Sequence, residues 1–123
     1  MIDQILQESR SCDFDFRKFS CPDDPLKELF PEWVDYYKTK YAISKIINPS
    51  KILEIGVRYG YSVSAFLSAS PEARVLGIDN DSDSYGGRSG ALEWARDCLS
   101  AYDFEILVEN SQNLTVFPGG SYD

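Results

Sequence analysis

Three short apolar runs, separated by stretches of helical period, constrain this chain more than any other feature. Lys51-Ile52-Leu53-Glu54-Ile55 reads as a buried strand, residues 62–69 as a helix closed by Ser70-Pro71, and Arg74-Val75-Leu76-Gly77-Ile78 as a second strand. A polar, Gly-rich loop then runs to Gly90. Residues 91–102 put Leu92, Ala95 and Leu99 on one helical face, and Phe104-Glu105-Ile106-Leu107-Val108 is a third strand. Parallel neighbours must be joined by a crossover that packs back onto the sheet, so this alternation predicts an α/β fold with a parallel sheet and flanking helices. The 51–55 strand is expected in the middle of that sheet.

Upstream, a helix is predicted to begin near Pro31, where Pro suits the first turn and Glu32 favours the positive end of the dipole. Trp33, Tyr37, Tyr41 and Ile47 recur at helical spacing before Asn48-Pro49-Ser50 stops the helix. This aromatic face reads as core or interface in preference to a substrate wall. Residues 1–30 form an N-terminal extension of irregular pattern. Within it Ile2, Ile5 and Leu6 suit a short helix, Asp13-Phe14-Asp15-Phe16 alternates like a strand, and Cys21-Pro22-Asp23-Asp24-Pro25 is turn chemistry. Residues 31–123 then form a partial Rossmann-like domain. The closing Gly119-Gly120-Ser121-Tyr122-Asp123 reads as a loop entering a fourth strand, so the chain is expected to be C-terminally truncated, with an open sheet edge that recruits a second copy.

A formal net charge of −8 argues against a binder that tracks nucleic-acid phosphates. No apolar run is long enough to span a bilayer and the N-terminus lacks the pattern of a signal peptide, so no membrane partner is expected and a cytoplasmic location is the default. Cys12, Cys21 and Cys98 are widely spaced and the chain has no His, which excludes a Cys/His zinc site and a His-based triad within it. The three cysteines read as idle thiols of a reducing compartment.

Chemistry concentrates in residues 52–62. Glu54 closes a strand, Gly56 follows two positions on, and Gly60 four after that. Gly56 allows a sharp turn and close approach of a ligand, while Gly60 opens a helix whose free N–H groups suit a carboxylate. Glu54 is placed to accept from an ammonium group, so the loop suits an amino-acid zwitterion better than a pyrophosphate. Tyr59, Tyr61 and Ser62 belong to the same candidate cofactor-binding set. Asp79 ends the next strand, where an acidic residue accepts from ribose hydroxyls. Asn110, Ser111 and Gln112 follow the third strand, either as groups around an adenine edge or as an ordinary polar turn. In the loop between, Gly86-Gly87-Arg88-Ser89-Gly90 reads as mobile, with anion binding by Arg88 the lesser alternative. Amino acid, ribose and adenine in this order describe S-adenosyl-L-methionine.

Glu-x-Gly-x-x-x-Gly after a strand, with Asp at the end of the next, resembles motifs I and II of the class I S-adenosylmethionine-dependent methyltransferases, over roughly residues 31–123. The fuller wording Glu54-Ile55-Gly56-Val57-Arg58-x-Gly60-x-Ser62 resembles the sugar O-methyltransferase and cephalosporin-hydroxylase-like branch. The resemblance implies methyl transfer to an oxygen of a small molecule. It also implies a following Asp-Gly-x-His segment that leaves room for a divalent metal in the full-length protein; no metal-binding residues are assigned in this chain, which is expected not to turn over alone. No catalytic base is assigned. A nicotinamide-dependent oxidoreductase would want Gly-x-Gly-x-x-Gly, and Arg58 stands at the second glycine. A degenerate methyltransferase acting as a binding module remains the non-enzymatic alternative.

Overall fold

The computed structural model describes residues 1–115 and 122–123, with Tyr85 as backbone only. Four helices, α1 (Ile2–Ser11), α2 (Phe30–Ile47), α3 (Tyr61–Ala69) and α4 (Ala91–Cys98), accompany three strands, β1 (Lys51–Ile55), β2 (Arg74–Asp79) and β3 (Asp103–Val108). The strands form one parallel sheet in the order β1-β2-β3, with Ile55 beside Ile78 and Asp79 beside Val108. This is the α/β, Rossmann-like arrangement expected: the order 3-2-1 is that of the first half of a doubly wound sheet, whose ligands bind beyond the carboxyl ends of the strands.

One expectation is corrected. Among the described residues β2, and not β1, lies in the middle. Both crossovers step in the same direction, so β1 is left with a sheet neighbour on one side. Its far side is met at Lys51, whose carbonyl accepts from the Asp123 amide, while the Asp123 carboxylate accepts from the amides of Ser50 and Lys51. Gly119, Gly120 and Ser121 lie outside the described residues.

α2 starts with Pro31 in its first turn and ends at Asn48 in the left-handed region, φ 52°. It packs along α3, and the two are stitched by the Ser44 hydroxyl, which donates to the Phe66 carbonyl and meets the Ser70 hydroxyl at 2.8 Å. Under α3 and α4, Val63, Leu67, Ala73, Val75 and Leu99 form the core with Ile52 and Phe104 of the sheet.

A second, aromatic core joins the N-terminal segment to the rest. Phe16, Phe19 and Cys21 are buried with Phe30 and Tyr37 of α2 and Tyr61 of α3. The strand-like alternation at 13–16 does not form a strand. Asp15 instead accepts from the Arg17 amide and caps a 3-10 turn, Phe16–Phe19, which turns both phenylalanines inward. The α4 helix also stops earlier than its apolar face suggests, at Cys98, with Leu99 still buried beneath it.

Candidate functional site

The loop from β1 to α3 is set by two glycines with different tasks. Gly56 has φ +85°, and the position a Cβ would take meets no atom within 4 Å. Its backbone is open to a ligand. Gly60, φ +80°, caps α3, but a Cβ there would lie 2.9 Å from the Ala95 Cβ. Its missing side chain serves the close approach of α3 to α4, in addition to the turn.

Asp79, at the end of β2, holds this loop. One carboxylate oxygen accepts from the amides of Val57 and Arg58, at 2.8 and 2.9 Å, and the other from the Asp81 amide at 2.8 Å. Asp79 is buried. A carboxylate offers about four acceptor positions, and the backbone takes three of them. Sequence reasoning reached the position of Asp79 but missed this bracing, because the donors are main-chain groups that carry no sequence signature.

Arg58, between the glycines, adopts φ 53° without being glycine. Its side chain makes a bidentate pair with Asp24, whose carboxylate is fully buried. Asp24 also accepts from the Tyr61 hydroxyl at 3.0 Å and the Leu26 amide at 2.9 Å. The Tyr61 hydroxyl in turn accepts from the Cys21 amide. The guanidinium lies 5.0 Å from the centre of the Tyr59 ring, a cation–π distance. Nothing in the local pattern around Asp24 marks it as a site residue, since Cys-Pro-Asp-Asp-Pro reads as any turn.

Beyond the strand ends lies a cleft of about 440 Å³. It is walled by Gly56 and Arg58 after β1, Asp79 at the end of β2 with Asn80 after it, 109–112 after β3, and Gly86 and Gly87. Gly56, Asp79, Asn110 and Ser111 therefore come together as the sequence suggests. Glu54, Tyr59, Gly60, Tyr61 and Ser62 do not line this cleft. Tyr59 and Tyr61 are buried and stacked on each other, and the Ser62 hydroxyl accepts from Lys40. Asn110 caps a 3-10 turn by accepting from the Gln112 amide, and it also lines the cleft. Arg58 and Glu109 are the additions. Glu109 follows the same strand-end logic as Asp79 and was within reach of the sequence.

Glu54 is half-buried and makes no hydrogen bond or ion pair among the described residues. Burial pushes its carboxyl above the usual range, and the Lys40 ammonium offsets part of that effect. Among the described residues no group of three or more His, Cys, Asp or Glu could hold a metal ion, and no helix is long and apolar enough to cross a membrane.

No protein-family model and no curated protein matches the chain. Among solved structures it is similar to the plantazolicin methyltransferase BpumL in complex with SAH, at 17% identity and a TM-score of 0.44, over 93% of this chain and 45% of that one. The chain thus spans less than half the length of that protein.

Proposed function

We propose that the strand-end cleft binds S-adenosyl-L-methionine and that the chain carries the cofactor-binding part of a methyltransferase acting on an oxygen of a small molecule. One observation carries the reading: a single cleft runs over all three strand ends, and its charge is acidic once internal pairing is accounted for. Asp79 and Glu109 face it, whereas the cation in its wall, Arg58, is committed to Asp24. A carboxylate excess repels a pyrophosphate, and so disfavours a dinucleotide, but suits a ligand bearing a sulfonium and an ammonium. The volume is within the range of about 300–1,000 Å³ usual for small-molecule sites.

The parts of the ligand would follow the strands. The amino-acid end meets the open backbone of Gly56, the ribose meets the remaining acceptor position of Asp79, and the adenine lies beside Asn110 and Ser111. When bound, the cofactor supplies the methyl group. This chain's residues hold it and exclude water, and positioning is a large part of the rate in such displacements.

Calorimetric titration with S-adenosylhomocysteine tests the proposal. One saturable site, not competed by NAD, is the expected result. NAD binding in its place, or no binding of either, sinks it.

A further inference from the structure

A second cavity, about 340 Å³, adjoins the strand-end cleft and shares Gly56, Arg58 and Gly86 with it. Its remaining wall is largely aromatic. Trp33 and Tyr37 come from α2, Tyr59 from the loop before α3, Tyr61 from the start of α3, and Leu26, 44% exposed, stands in it from the N-terminal segment. Tyr59 and Tyr61 are already stacked, with centroids 5.7 Å apart.

The polar groups of this wall are unequally used. The Tyr61 hydroxyl is spent on Asp24 and Cys21, as described above. The Tyr37 hydroxyl has no hydrogen-bond partner among the described residues, although Tyr37 is more than nine-tenths buried at 8% exposure. The hydroxyl is not among the sealed polar atoms of the described residues, so it stays open to solvent and is a free donor for an incoming acceptor atom. Burial, offset in part by Arg58, pushes the Tyr37 phenol up to about 12, so at neutral pH it keeps its proton and donates.

We propose that this cavity is the acceptor subsite, and that it takes a one- or two-ring aromatic molecule whose oxygen accepts from the Tyr37 hydroxyl. The inference rests on the cofactor reading of the neighbouring cleft. The cavity size admits one or two rings, since an apolar cavity of about 150 Å³ already holds benzene. Aromatic walls bind a flat ring by offset or edge-on contact. Gly56, Arg58 and Gly86, shared by the two cavities, are where cofactor and acceptor would approach each other.

Catechol and glucose serve as probes, each titrated with and without saturating S-adenosylhomocysteine and followed by ¹H–¹⁵N shifts. Catechol is expected to bind saturably, moving the Trp33 indole and the Tyr59 and Ser62 amides, with glucose inert. Tyr37→Phe, which keeps the ring and its packing, is expected to weaken catechol about three- to tenfold, the worth of one hydrogen bond, while leaving S-adenosylhomocysteine affinity within about twofold. Glucose matching catechol, catechol shifts confined to Asp79 and Asn110, or Tyr37→Phe without effect would each overturn the inference. Catechol binding as described without any S-adenosylhomocysteine binding would leave the aromatic site standing and remove its role as a methyl-acceptor site. Binding of S-adenosylhomocysteine without catechol would sink the inference alone.

Discussion

Asp24 and Arg58, 34 residues apart, meet in a bidentate ion pair with both N–O distances at 3.0 Å, and the Asp24 side chain is wholly inaccessible. Through this pair the N-terminal segment grips the same loop that Asp79 braces from the sheet. Arg58 is held at its amide by one carboxylate and at its guanidinium by another, which explains how a non-glycine residue keeps a left-handed backbone there.

Breaking that pair from one side strands a buried charge. Asp24→Ala is expected to cost about 3–5 kcal/mol in urea unfolding, whereas Asp24→Leu combined with Arg58→Met should recover only part of the loss, because the Tyr61 hydroxyl and Leu26 amide still lack their acceptor. A double variant as unstable as the single one would show that the pair is not what holds the segment.

The two loop glycines should separate in stability. Gly56→Ala meets open space and costs only the left-handed backbone, about 1–2 kcal/mol. Gly60→Ala adds the clash with Ala95, about 1–3 kcal/mol more. Equal losses in denaturant titrations would contradict the close approach of α3 and α4.

Asp79→Asn keeps the shape but removes the charge and one acceptor oxygen. Losing charge-assisted bonds to the Val57, Arg58 and Asp81 amides should cost about 1.5–3 kcal/mol of stability. Faster hydrogen exchange at those three amides is the specific sign, along with weaker S-adenosylhomocysteine binding. Lost affinity with unchanged exchange would assign Asp79 to the ligand and not to the loop.

Glu54 gives a pH prediction of unusual sign. Its folded pKa is raised by burial, so the fold favours the protonated form. The resulting penalty is absent below the unfolded value near 4.5 and fully present above the raised folded value. Glu54→Gln is therefore expected to stabilise the ligand-free protein at neutral pH and to make no such difference in acid, while weakening binding of an ammonium-bearing ligand. A Tm difference independent of pH would remove the burial argument.

Local pattern carried far in this chain. The strands at 51–55, 74–78 and 104–108 and the helix opening near Pro31 lie where their periodicity puts them, because apolar spacing and Gly, Pro and Asn stops act over a few residues. Gly56, Asp79, Asn110 and Ser111 could be assembled on paper since a parallel sheet brings its strand ends together. The four-residue alternation at 13–16 decided nothing, as so short a run is overruled by an Asp15 cap and by the aromatic core that draws Phe16 and Phe19 inward. The sequence by itself thus determined the α/β order and the place of the cleft. Tertiary structure alone decided that Asp24 closes on Arg58, that Tyr61 is spent on that pair while the Tyr37 hydroxyl has no hydrogen-bond partner among the described residues, and that Gly60 makes room for Ala95. Each of these depends on contacts between residues at least 34 positions apart, which local spacing cannot encode and packing settles only once the chain has folded.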